Sequence, residues 1–385
     1  MNYWFKILYH KFLIFLKKQV IGNILYRDLV IVKTYPKSIE SQCLFFGNQL
    51  TVSISQPDCI NQEFHKEIDE KLGVYSPIRK YCKIFDNCLI IGGNKPIVFD
   101  SREKPLWNAI AYQFFKFSKN YYPIIWWILK NKLPLKEHQS YVFLLYTNWC
   151  SNYFHWLFDN LARLEFLDYF EDISREIKVY VPNNLLPFQK ESLAALGIKN
   201  IEPIGEFNIR VKHLVVPNFP LEQQGYDLEQ IYWLRDKIYN NIGIANEMSK
   251  LPNQNILILR KTESGRSLIN QEEVLHALKP LGFQGYYLEK LTFQEQVQLF
   301  SNANCVVGVH GAGLANIIFA KQPMTVIEIF ANQVFPCYFQ LAKTLGFSYN
   351  YILNDSEQEY TGKQSDIQVN VNSLVEIIYS LILNH

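Results

Sequence analysis

The stretch CVVGVHGAGLANIIFA, residues 305–320, sets a single histidine, His310, in a glycine-rich turn between a valine-rich run and a segment with helical spacing. Gly308, Gly311 and Gly313 would let the backbone approach a ligand and adopt positive φ, while the first N–H groups of the following helix, from Ala312, point outward unpaired. That is an anion site in outline, above all for phosphate. Fifteen residues beyond Gly313, Glu328 stands at the end of the apolar strand TVIEIF. A phosphate turn followed by an acid for ribose hydroxyls is the logic of a nucleotide site. The glycine spacing is not G-x-G-x-x-G and comes late in its series, which ranks a redox dinucleotide site second. Glycines in such a turn also serve tight packing alone.

A second cluster supports the anion assignment. In ILILRKTESGRSLIN, residues 256–270, Arg260 ends an apolar strand and Arg266 follows six residues later. Two guanidiniums at one strand end can clamp a diphosphate, each bidentately, although surface arginines are more often simply solvated. A third cluster lies in NYFHWLFDNLARL, residues 152–164, where His155, Asp159 and Arg163 stand at i, i+4 and i+8 and share one face of a regular helix. Asp159 would orient His155 and raise its basicity, as a carboxylate does for a catalytic imidazole. A core or capping histidine is the plainer alternative for His155.

The elements that must hold these residues show as a change of rhythm. Residues 40–100 read as short strands and turns, with a hairpin at Gly92, Gly93 and Asn94. From about residue 140 strands alternate with helices through YVFLLYT, the His155 segment, IKVYVP, LPFQKESLAALG and HLVVPN. A second series follows Pro252, from NILILRK through CVVGVH and TVIEIF to YFQLAKTLG. Such alternation marks parallel sheets covered by helices. The aromatic helix 228–243 would bridge the series, so the expected division is a segment 1–39, a first α/β domain 40–245 with a β-rich start, and a second 246–385.

Composition narrows the partners. With 385 residues, two domains can each bury a core. Lys and Arg number 38 against 36 Asp and Glu, a formal charge of +2, which argues against a nucleic-acid surface. Seven scattered cysteines with no C-x-x-C pair suggest neither a zinc site nor a disulfide framework, and fit a reducing compartment. Apolar runs fall short of the roughly 18 residues that cross a bilayer, and no clean signal peptide is visible. The first eighteen residues combine Trp4, Phe5, Phe12 and Phe15 with Lys6, Lys11, Lys17 and Lys18 and no acid. A helix of that kind lies on an anionic membrane surface, or packs on its own domain with solvated lysines.

In wording and order, NYFHWLFDNLARL, LILRK with ESGRSLIN, LTFQEQVQLFSNA, VVGVHGAGLAN and VIEIF resemble glycosyltransferase family 61, from about residue 140 to 335. The resemblance implies a GT-B fold of two Rossmann-like domains facing across a cleft, a nucleotide-sugar donor, UDP-linked, in the C-terminal domain, and inverting transfer to a hydroxyl of a glycan or glycolipid acceptor. Bacterial members look like enzymes of polysaccharide or lipopolysaccharide biosynthesis, implying a cytoplasmic protein, peripheral at the inner face of the membrane. Carried over by position, Arg260, Arg266, His310, Gly311, Ala312, Gly313, Asn316 and Glu328 would surround the donor, with Asn152, His155, Asp159 and Arg163 toward the acceptor side. Where relatives commonly have Pro before the arginine of the first motif, this chain has Ala162. His155 with Asp159 would then be the base, and Arg260, Arg266 and the helix start would hold the departing diphosphate. No D-x-D for Mg²⁺ or Mn²⁺ is visible, so no cofactor or metal is expected. An NAD(P)-dependent oxidoreductase using Glu328 and a non-catalytic glycan-binding protein are the alternatives. If the first eighteen residues anchor the chain, their deletion should abolish low-salt pelleting with anionic vesicles; equal pelleting of truncated and full-length protein would exclude the anchor.

Overall fold

The computed structural model describes residues 41–383 apart from 46, 48–50, 58–65, 76–79, 94–95, 103–105, 107–133, 148, 219–224, 245–253, 262–265, 332 and 354–365. The basic aromatic segment 1–39 and Asn94 lie outside the described residues. Among those described, no helix is long and apolar enough to cross a membrane.

The first half builds one mixed sheet from β1 (Ser41–Phe45), β4 (Tyr81–Ile91), β5 (Ile97–Phe99), β6 (Leu135–Leu144), β7 (Lys178–Val181), β8 (Ile201–Pro203) and β9 (Asn208–Pro217), while β2 (Val52–Ile54) and β3 (Gly73–Tyr75) pair separately. The order is β1-β4-β9-β6-β7-β8, with β5 on β4 as the expected hairpin. Strands β9, β6, β7 and β8 run parallel, whereas β4 joins β9 antiparallel over Cys82↔Pro217 to Ile91↔Asn208. The β-rich start is therefore no separate preface. It supplies the antiparallel edge of the first α/β sheet.

The second sheet contains β10 (Gln254–Leu259), β11 (Phe283–Tyr287), β12 (Ala303–Val309), β13 (Thr325–Phe330) and β14 (Ser348–Leu353), all parallel, in the order β11-β10-β12-β13-β14. Its central strands are apolar along their length because helices cover both faces. Between β10 and β11 lies the helix Gln271–Leu278, and between β11 and β12 the helix Phe293–Ser301. The latter starts on a reciprocal cap in which the Thr292 hydroxyl accepts from the Glu295 N–H and the Glu295 carboxylate accepts from the Thr292 N–H.

The bridge expected at 228–243 is present as the helix Leu228–Ile242, capped by the Asp227 carboxylate and ended by Gly243 at φ 81°. It carries Arg235, whose Nη1 donates to the Ala320 carbonyl at 3.3 Å, and Tyr239, whose hydroxyl donates to the Phe319 carbonyl. One apolar cluster runs from the first sheet through this helix into the near face of the second sheet.

At the foot of the same helix, Lys80 is 3% exposed and its Nζ stands 2.8 Å from Glu165, 2.6 Å from Glu229 and 3.7 Å from Asp227. Burial works against the ammonium, and the surrounding carboxylates outweigh it, holding the Lys80 pKa above its ordinary value. Lys80→Ala would strand the Glu165 carboxylate in the core. A loss of roughly 3–5 kcal/mol is expected in urea unfolding, the cost of orphaning a buried charge; a loss below about 1 kcal/mol would mean that solvent screens the cluster.

Candidate functional site

Chain order and sheet order disagree at one place in the second sheet. From β10 the chain moves outward to β11, then returns to the other side of β10 as β12. The crossovers diverge there, leaving a crevice beyond the carboxyl ends of β10 and β12. Arg260 is the residue after β10 and His310 the residue after β12, so both stand at the crevice. It opens into a cavity of about 610 Å³ that is lined by Arg260, Arg266, His310, Gly311 and Ala312 from the second half and by Asn152, Phe154 and His155 from the first. No Asp or Glu is among the described lining residues.

The two guanidiniums are held by the turn itself. Arg260 Nη1 donates to the Arg266 carbonyl at 3.5 Å, and Arg266 Nη1 donates to the His310 carbonyl at 3.2 Å. Burial disfavours the charge on both, and on Arg260 the neighbouring Arg266 adds to it, so both pKa values lie below the ordinary value. Arg266 sits in the left-handed region at φ 55°, a conformation that costs a non-glycine residue on the order of 1–2 kcal/mol. Strain and like charge gathered on a wall with no carboxylate among its described residues point to a site shaped for an anion.

His310 is fixed on every side but the cavity. Its Nδ1 is 2.6 Å from Glu328 Oε1, and its ring stacks on Phe330 at 5.4 Å and Phe335 at 4.9 Å. Glu328 Oε2 in turn accepts from the Tyr349 hydroxyl at 2.6 Å. With Nδ1–H donated to the carboxylate, a neutral imidazole keeps Nε2 as the acceptor it can offer. Across the cavity the same device recurs. His155 Nδ1 stands 2.6 Å from Asp159 Oδ2, with Trp149 stacked on the His155 ring at 5.9 Å. Asn152 caps this helix, its Oδ1 accepting from the Phe154 and His155 N–H groups.

Four residues expected at the site stand elsewhere. Arg163 is 1% exposed, with its guanidinium 5.1 Å from the Phe143 ring centre and donating to the Pro217 carbonyl at 3.4 Å. The i, i+8 spacing fails because Trp156–Asn160 is a π-turn and Leu161–Asp168 a 3₁₀ helix, so the face drifts after Asp159. Glu328 is 0% exposed and both its oxygens are engaged, so it backs His310 and cannot reach a ribose. Asn316 is also fully buried; its Oδ1 accepts from Tyr153 at 2.6 Å and its Nδ2 donates to Gln296 and the Gly313 carbonyl. It ties the His155 helix to the second half. Gly313 does not line the cavity, and a Cβ there would meet Leu288 Cδ1 at 2.8 Å, so it serves packing. The segment after the turn is a 3₁₀ helix, Ala312–Phe319, and none of Gly308, Gly311 and Gly313 lies in the left-handed region, Gly311 being extended at φ 171°.

The cavity also takes Lys71, from the turn before β3, and Tyr338 and Gln340 from the helix Cys337–Thr344. No spacing relative to the glycine turn marks these in the sequence. The aromatic content of YFQLAKTLG was the one available signal, and it reads equally well as core.

Residues 153–327 match the model of the family described as Glycosyltransferase 61. The matched segment contains His155, Asp159, Arg260, Arg266 and His310 and stops one residue short of Glu328. The chain is 28% identical over 117 residues to the EGF domain-specific O-linked N-acetylglucosamine transferases of Gallus gallus and Mus musculus, which covers 29% of this chain and 22% of each relative. It is 33% identical over 108 residues to the protein O-linked-mannose beta-1,4-N-acetylglucosaminyltransferase 2 of Canis lupus familiaris, 27% of this chain and 18% of that one. The chain thus spans about a fifth of the length of the curated relatives it matches.

A Cβ at Gly311 would stand 2.9 Å from Arg260 Nη2 and 3.1 Å from its Cζ. Gly311→Ala should therefore displace a flexible side-chain end and leave the melting temperature nearly unchanged. Pyrophosphate affinity should fall roughly ten- to a hundredfold, the worth of a charged hydrogen-bond pair. Gly313→Ala strikes packed Leu288 instead and should cost roughly 1–3 kcal/mol of stability. Calorimetric titration and thermal melts of the two variants check the contrast, which fails if both lose affinity and stability alike.

Proposed function

We propose that this chain, whose residues 153–327 match the glycosyltransferase 61 family, transfers a sugar from a UDP-linked donor to a hydroxyl of a glycan or glycolipid acceptor with inversion at the anomeric carbon. The observation that carries the proposal is one cavity with two guanidiniums and no carboxylate among the described lining residues on one side, and a histidine–carboxylate pair on the other. The matched relatives are both named as N-acetylglucosamine transferases, which makes UDP-N-acetylglucosamine the first donor to try.

In this mechanism His155 donates Nδ1–H to Asp159 and uses Nε2 to take the acceptor's proton. The acceptor oxygen attacks the anomeric carbon as the bond to the diphosphate oxygen breaks. Arg260 and Arg266 receive the charge that develops on that oxygen. Guanidiniums do here what a divalent cation does elsewhere, so the proposed reaction is metal-independent, in keeping with the absence of carboxylates on the described cavity wall. The doubly wound second sheet supports a GT-B arrangement with the donor held on the C-terminal half. Surface polysaccharide biosynthesis on the cytoplasmic face, with the N-terminal segment on the membrane, is the proposed setting.

The oxidoreductase alternative loses its ribose ligand, since Glu328 is buried behind His310. A glycan-binding protein would bind sugar without turnover. His310 is the competing base, because its Nδ1 is bonded to a carboxylate in the same manner. Single-turnover transfer at saturating donor separates the two. His155→Ala should lower the rate roughly 10²- to 10⁴-fold with donor affinity nearly constant. His310→Ala should mainly weaken donor binding. Near-normal transfer by folded His155→Ala protein together with collapse in His310→Ala would move the base to His310, and absence of turnover with every donor would favour the binding protein.

A further inference from the structure

The helix Cys337–Thr344 presents Tyr338 to the cavity wall. The residue is 2% exposed, and its ring is gripped from both halves of the chain, tilted against His310 at 5.5 Å and edge-on to Phe154 at 5.6 Å. Ring and hydroxyl therefore have a fixed address. The hydroxyl lies within the fields of both Arg260 and Arg266, and it has no hydrogen-bond partner among the described residues. The oxygen is not among the buried polar atoms left without a partner, so it opens on the cavity, where a bound solute can satisfy it. Gln340, on the same helix, shows that the wall is polar enough to admit a solute.

We infer that the Tyr338 hydroxyl is a further ligand of the diphosphate, donating its O–H to a non-bridging oxygen beside the Arg260 and Arg266 guanidiniums. The inference rests on the donor assignment above and adds a neutral donor that the arginine pair lacks. Burial, with Cys337 and Glu328 nearby, holds the phenol well above its ordinary range against the pull of the two arginines. The group thus stays protonated at neutral pH and can only offer its proton to an anion, never a second negative charge. A phenol is also stiffer than a lysine in the same role. Two ring contacts set its angle, so little rotamer entropy is lost when the phosphate arrives.

Tyr338→Phe removes the oxygen and keeps the ring that packs on His310 and Phe154. Calorimetric titration of the full chain with uridine diphosphate, inorganic pyrophosphate and uridine, for wild type and variant, reads the effect, with thermal melts confirming the fold. The variant should lose roughly ten- to a hundredfold in affinity for uridine diphosphate and for pyrophosphate alike, the worth of one hydrogen bond to a charged group, while its weaker affinity for uridine stays unchanged. Equal pyrophosphate affinity in wild type and variant would overturn the role of Tyr338 and leave the donor site intact. A loss that extends to uridine would also overturn it, as it would mark a general distortion of the cavity. Failure of the wild-type chain to bind either phosphate compound would overturn the donor assignment itself, and this inference with it.

Discussion

Two like charges share a half-buried wall that has no carboxylate among its described residues, and much of the second half of the chain is arranged around that constraint. Arg260 and Arg266 disfavour each other and are disfavoured by burial. They stay in place because backbone carbonyls accept from them, because Arg266 is held at φ 55°, and because Gly311 has no side chain where the Arg260 guanidinium lies. Water alone is a poor partner for a pair so confined. A dianion supplies at once the counter-charge and the hydrogen bonds that the wall leaves open.

The opposite wall is brought to the same cavity by contacts that have no chemistry of their own. Tyr153 reaches across to Asn316, Glu191 accepts from the Phe293 N–H at 2.6 Å, and the helix Leu228–Ile242 bonds to carbonyls at the end of the 3₁₀ segment. A continuous apolar cluster lies beneath. These contacts place two imidazoles, each steadied at Nδ1 by a carboxylate, on facing surfaces of one space. The resemblance between the two pairs is geometric, and their surroundings differ. Glu328 is sealed inside the second sheet behind Tyr349, whereas Asp159 keeps some exposure at 14% and the His155 side chain is 27% exposed against 15% for His310, so the His155 pair is the more open of the two.

Much of this is legible in the sequence. Arg260 after NILIL and His310 after CVVGV are strand-end residues by pattern alone, and parallel sheets put strand ends at ligand sites. The i, i+4 relation of His155 and Asp159 needed only local helical geometry, and it survives into the structure at 2.6 Å because the π-turn still leaves one turn between them. The next step of the same pattern did not survive. Arg163 depends on one further turn of regular helix, two in all from His155, and a helix that passes from α to π to 3₁₀ cannot keep phase over eight residues.

The sequence by itself determined the elements, their alternation, the arginine pair and the glycine turn, since these follow from short-range periodicity and residue chemistry. Only the tertiary structure decided which way buried polar groups face. Glu328 reads as a ribose ligand from its place on TVIEIF, yet β13 lies inside the sheet next to β12 and β14, so its carboxylate meets His310 and Tyr349 from the flanking strands. Asn316 is drawn inward by Tyr153, and Tyr338 is drawn to the cavity by a helix far along the chain. Partners of that kind are set by strand order and helix packing between residues tens of positions apart, and no local spacing carries that information.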